Sequence, residues 1–175
     1  MGFRVTGVPQ VKRAVEGAKA RTRDLTPVLT VLAQDVRTLI DDAFDGSHSP
    51  SGQAWPALSP RTVAKRRRGS SKPLVDTPNL RPSITTEGRG TTLAFGTNVA
   101  YARPHQMGFT RSGQYKRRMY KPRREAGSPW SYSVPARPYL PVTPQFALMS
   151  TGPAGEVWAL ARRMVLQFIA TGEVR

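Results

Sequence analysis

Cysteine is absent from this 175-residue chain, so neither a disulfide framework nor a thiolate metal site can be built from it. Histidine is nearly absent: His48 and His105 are the only two, too few for a zinc ligand set and little material for a general base. Acids are scarce too, with 11 Asp and Glu against 27 Lys and Arg. No apolar run approaches the length of a membrane span, and no charged-then-apolar leader is seen, so no membrane partner is expected. The start, "MGFRVT", fits the loose myristoylation pattern, a six-residue match that chance supplies readily. There is no Gly-x-Ser-x-Gly elbow, no phosphate-cradling loop and no suitably spaced acid pair. The chain is therefore read as a non-enzyme with no cofactor and no metal.

What is present is positive charge in one place. Residues 46–124 carry sixteen basic side chains against Asp76 and Glu87, a net of +14 out of the chain's +16. Self-repulsion in such a segment disfavours a compact state, so an anionic partner or a shared, extended setting is expected. Nucleic acid phosphate leads that list, ahead of an anionic lipid surface or an acidic protein. The apolar fraction of 38 % suffices for one core, and 16 Pro with 15 Gly predict much loop around it. Length predicts a single domain, 1–175, with 46–78 and 104–135 as extended basic loops.

Periodicity places the regular elements. Phe3 and Val5 suit a short strand, and residues 8–23 a first helix weakened by Gly17. Thr26 with Pro27 reads as an N-cap with proline at the first helical position. Leu29, Leu32, Val36, Leu39, Ile40 and Ala43 then form one stripe of a long helix, with Asp24 near its positive end. Asp41, Asp42 and Asp45 at its far end read as a solvated terminus or as partners for a basic surface. Ser59-Pro60 starts a short basic helix over 60–67, and Thr77-Pro78 one turn ended by Pro82. From Ser83 the period becomes two, and Ile84 with Leu93 and Phe95 predicts a hairpin turning at Gly88 and Gly90. It needs a further strand or a covering helix. Residues 110–134 have no periodicity, and Val157, Leu160, Ala161, Met164, Phe168 and Ile169 predict a C-terminal helix. The class is α+β: a small antiparallel sheet on a long helix, with long basic loop arms and a C-terminal helix.

Four fragments, in order, carry a family resemblance. "PSGQAWPALSPRT" at 50–62, "LVDTPNLRPSI" at 74–84, "GTNVAYARPHQMG" at 96–108 and "VPARPYL" at 134–140 resemble the signature of phage virion-morphogenesis proteins, the tail-completion family of Mu-like long-tailed phages. The motif positions are Trp55, Leu58, Ser59, Pro60, Thr62, Thr77, Leu80, Ser83, Tyr101, His105, Gln106, Gly108, Pro135, Arg137 and Pro138, with Pro78 standing where the family has Gly. The resemblance implies a structural protein of the virion neck, made in the host cytoplasm. It implies a hexameric ring of itself at the head–tail junction, touching connector, tail-terminator or tail-tube proteins while double-stranded DNA passes non-specifically. A tail terminator is the alternative within the family, and charge alone favours a free-standing, sequence-independent nucleic-acid binder.

Each candidate residue has a plain structural reading. Trp55 reads as a loop aromatic folded onto the end of the long helix, ahead of a partner contact. Lys65, Arg66, Arg67 and Arg68 form one basic cluster, and Lys116, Arg117, Arg118, Lys121, Arg123 and Arg124 a second, interleaved with Tyr115, Tyr120 and Trp130. Both clusters fit a DNA-facing surface that uses backbone contact without base reading, and equally an arm docking on a neighbouring subunit's Asp41, Asp42 and Asp45. His105 beside Gln106 reads as a structural hydrogen-bonding pair, Gly108 as a turn, and Arg137 as holding either a carboxylate at a subunit contact or a carbonyl of its own fold. Loops 46–78 and 104–135 are expected to be mobile in the free subunit and to order in the ring.

Overall fold

One long helix organises the computed structural model, which describes residues 7–66, 70–77, 79–114 and 129–174. Helix α2, Thr26–Gly46, follows α1, Val8–Arg21, and buries Val28, Leu29, Leu32, Ala33, Val36, Leu39, Ile40, Ala43 and Phe44 along one side. Every residue of the stripe read from the sequence lies in that set. Each large aliphatic side chain so buried contributes about 1.5–3 kcal/mol. The helix start differs from expectation. Leu25 is the capping residue, and the Thr26 hydroxyl accepts a hydrogen bond from Gly90 N–H at 2.8 Å instead of capping its own helix. Asp24 does the capping work, its Oδ1 accepting from Thr26 N–H at 2.9 Å; hydrogen bonds from Thr26 lower its pKa.

The hairpin β1, Ile84–Arg89, with β2, Thr92–Thr97, lies directly on α2. Its turn is Gly90-Thr91, and Gly88 sits inside β1 opposite Leu93, not in the turn as the sequence suggested. The reason is close approach: a Cβ on Gly88 would overlap the Leu29 backbone. The covering element that two strands require is thus α2, and no third strand joins among the described residues. A second hairpin pairs β3, Phe109–Gln114, with β4, Pro129–Val134, after a one-and-a-half-turn helix α4, Ala102–Met107. The sheet therefore comprises two separate antiparallel hairpins, and both ends of the aperiodic segment are strands. Alternation fails to reveal β3 and β4 because most of their side chains are exposed on both faces.

Helix α5, Gly152–Thr171, packs Met164 and Phe168 against Val28, Leu29 and Leu32. Leu160, expected on its apolar face, is exposed. The other half of α2 forms a second cluster in which Ile40 and Phe44 meet Trp55, Leu80, Ile84, Ala102 and Tyr139. The short basic helix α3 spans Pro60–Ala64 with Ser59 capping Thr62 N–H, and Thr77 lies in a bend, not a helix. Phe3, Val5 and Pro78 lie outside the described residues.

The acidic end of α2 is engaged by its own chain. Arg81 donates to Asp41 at 2.6 Å and to Asp45 at 2.6 Å, and Arg37 donates to Asp41 at 2.9 Å. Asp41 is part-buried in its ion pairs, Asp45 is paired with Arg81 but stays exposed to solvent, and Asp42 is exposed without such a partner. Burial raises the Asp41 pKa, but hydrogen bonds and charge from Arg37 and Arg81 outweigh it, and the net shift is downward. Asp45 is lowered chiefly by its hydrogen bond from Arg81. Depressed carboxylates stabilise the fold above the ordinary aspartate range near 3.9, and that contribution is lost as pH falls through the lower folded values. Arg81→Ala should therefore lower the urea midpoint at neutral pH, with the difference from wild type shrinking below about pH 4. Equal differences at both pH values would disprove the pairing.

Candidate functional site

The four sequence fragments, up to 90 residues apart, converge on one open cleft of about 660 Å³. Leu58, Ser59, Arg61, Thr62, Lys65 and Arg66 form one wall, from α3 and the loop before it. Leu74, Asp76, Thr77 and Leu80 form the second, and Tyr101, His105, Ser133, Val134, Pro135 and Arg137 close the third. The walls are held by groups the sequence flagged for other reasons.

Arg137 lies at the base with 6 % of its surface exposed. Its Nε donates to Pro56 O at 2.9 Å and its Nη2 to Ala57 O at 3.2 Å, while its backbone N–H donates to His105 O at 2.8 Å. The carbonyl contact within its own fold, one of the two roles open from sequence, is present. Burial, and then the nearby charge of Arg66, lower the Arg137 pKa. His105 is half-buried with no hydrogen-bond partner for Nδ1 among the described residues; burial first, then Arg137, lower its pKa, so it stands as neutral imidazole at pH 7.

The expected His105–Gln106 pair does not form. Gln106 turns the other way, and its side chain is fully used. Its Oε1 accepts from Tyr139 N–H at 2.9 Å and Leu140 N–H at 3.0 Å, and its Nε2 donates to Leu140 O at 3.2 Å and Val142 O at 3.0 Å. An α4 turn puts adjacent residues on different faces, so His105 meets the cleft and Gln106 the core. Gly108 does make the turn, at φ +67°, where a Cβ would press within 2.6 Å of Ala136 N.

Trp55 is buried as expected, edge-on to Phe44 with centroids 5.7 Å apart, and its Nε1 donates to Pro138 O at 2.7 Å. Ser83 donates to Leu80 O at 2.6 Å and meets Thr97 across the hairpin base. Pro60 opens α3.

The basic candidates divide. Lys65 is exposed at the cleft rim, but Arg66 folds back, its Nη1 donating to the Ser70 carbonyl at 3.0 Å and to the Lys72 carbonyl. It closes its own loop and does not simply project. Arg67, Arg68, Lys116, Arg117, Arg118, Lys121, Arg123 and Arg124, with Tyr115 and Tyr120, lie outside the described residues. Trp130 stacks on Tyr132 with centroids 5.8 Å apart, covering Gly113 on the β3–β4 hairpin.

Sequence reasoning passed over Arg61, Leu74, Asp76 and Ser133 as cleft residues, and no signal short of the fold joins them. It also missed the separate apolar face of α1. That helix buries none of its residues, and Val8, Val11 and Val15 are all exposed. Arg21 ties its far end to α5, donating to Ile169 O at 2.9 Å and Ala170 O at 3.0 Å. Among the described residues no group of metal-ligating side chains occurs, and no helix is long and apolar enough to cross a membrane.

Comparison with known proteins agrees with the fragments that build the cleft. The chain is 30 % identical over 141 residues to the Mu-like prophage FluMu G protein 2 of Haemophilus influenzae, covering 81 % of this chain and 83 % of that one. No solved structure matches it. The family model for phage virion morphogenesis matches residues 7–151, from α1 through all four fragments to the residue before α5, and the chain belongs to the phage virion morphogenesis family.

Proposed function

We propose that this virion protein acts by assembly, as a ring at the head–tail junction that completes the tail and lets DNA pass. The observation that carries the reading is α1. A 14-residue helix with no buried residue and a valine stripe facing solvent is marginal by itself and gains stability once a neighbour covers that stripe. Copies of one chain joined head to tail cover such a face in every subunit, and closure of the rotation gives a ring. The hexameric count follows the family resemblance. The +14 segment supports a lumen that meets phosphate by charge, without base reading. The role is structural, and no catalytic step is assigned to it.

The test is electron microscopy of lysates from a phage whose copy of this gene is interrupted. Filled heads and finished tails lying apart are expected. Tails of uncontrolled length would make the protein a terminator instead. Normal joined particles would overturn the junction role and return the basic segment to free nucleic-acid binding.

A further inference from the structure

The cleft holds an unbalanced set of charges. Arg61, Lys65, Arg66 and Arg137 line it against one acid, Asp76. The ion pairs among the described residues all lie elsewhere, on Arg37 and Arg81, so no carboxylate neutralises Arg137. With Nε and Nη2 engaged by carbonyls, Nη1 is the guanidinium nitrogen that has no protein acceptor among the described residues. A buried cation held only by neutral carbonyls is costly, and an incoming anion relieves that cost. Apolar surface from Leu58, Leu74 and Val134 lies beside it.

We propose that this cleft is a docking site for an extended acidic peptide segment of a different polypeptide, one carboxylate reaching Arg137 and an adjacent apolar side chain lying against Leu58 and Leu74. The proposal rests on the assembly reading. Depth favours peptide over DNA. The deepest cation has 6 % of its surface exposed, and a rigid duplex offers its phosphates on a convex ridge that meets exposed side chains, not the base of a cleft. A carboxylate on a flexible side chain reaches such a position, and the cleft volume is in the usual range for ligand sites of about 300–1,000 Å³. Charge argues against a second copy as the occupant. This chain carries +16, and Asp41 and Asp45 are already taken by Arg81. An acidic segment from another protein is complementary to this cleft, while copies of this chain meet through the valine face of α1.

The experiment is selection from a display library of random octapeptides on the full-length protein at about 150 mM salt, where long-range attraction is screened. Enriched sequences should place Asp or Glu within a few positions of Leu, Ile or Val. Arg61→Glu with Lys65→Glu changes two exposed side chains that make no hydrogen bond among the described residues, so the circular dichroism should be unchanged. Affinity for the enriched peptides should fall on the order of tenfold or more. No enrichment, enrichment without acidic residues, or full affinity in the double variant would each overturn the proposal. Displacement of the peptide by an equimolar short DNA duplex would overturn it in favour of phosphate. None of these outcomes alters the separation of heads and tails by which the junction role is judged.

Discussion

Gln106→Leu is expected to cost roughly 3–5 kcal/mol and to leave the chain barely folded, because it orphans three backbone groups at once and strips a fourth of one of its two bonds. The substitution roughly keeps the side-chain size and replaces the polar amide with hydrocarbon, so the loss is chiefly one of hydrogen bonds and not of packing. It leaves Tyr139 N–H, Leu140 N–H and Val142 O without the amide that now serves them, while Leu140 O keeps only its bond from Val142 N–H. Residues 139–142 lie outside the named strands, and the isolated bridge from Val142 to Leu148 uses Pro141 O and Thr143 N–H, not the groups that Gln106 serves. Gln106→Glu separates the two halves of the contact. Its carboxylate can still accept from the two N–H groups but cannot donate to the two carbonyls, and it adds a buried charge. That variant should be weak at neutral pH and recover partly on acidification, as the carboxyl becomes a neutral donor. Urea unfolding followed by tryptophan fluorescence reads both, and a Gln106→Leu midpoint near that of wild type would show that the amide is not the support of this segment.

Trp55→Ala should cost about 3–5 kcal/mol, the range for deleting a buried aromatic. The indole joins three segments that are distant in sequence. It touches Phe44 at the end of α2, donates to Pro138 O, and fills the cluster that also holds Leu80, Ile84 and Tyr139. Trp55→Phe should retain most of the ring contact and lose the 2.7 Å hydrogen bond, for about 1 kcal/mol. Because Pro56 and Ala57 supply the carbonyls for Arg137, the alanine variant should also loosen the cleft. Its Arg137-dependent peptide binding should weaken more than that of the phenylalanine variant. Equal stability of alanine and phenylalanine variants would mean that the loop is not anchored by the ring.

The two anchors were not equally legible. Trp55 announces itself, since a large aromatic in a polar loop has few ways to be satisfied other than burial or a partner. Gln106 does not. Sequence pairs it with its neighbour His105, and only the α4 turn, which periodicity misses because the helix is six residues long, sends the two side chains apart. Gly88 is a similar case: glycine in a strand and glycine in a turn look alike until the Leu29 backbone is seen beneath it.

The long helix, the C-terminal helix, the first hairpin, the α+β class and the family were determined by sequence alone, because each depends on local period, turn chemistry or residues in fixed order. The β3–β4 hairpin, the capture of Asp41 and Asp45 by Arg81, and the meeting of four fragments around Arg137 were decided only by tertiary structure. Those contacts join residues 15 to 81 positions apart, and neither a propensity nor a charge count specifies which distant partner a side chain will meet. Packing around α2 does, by bringing the loops that carry the motif residues to the same end of the helix.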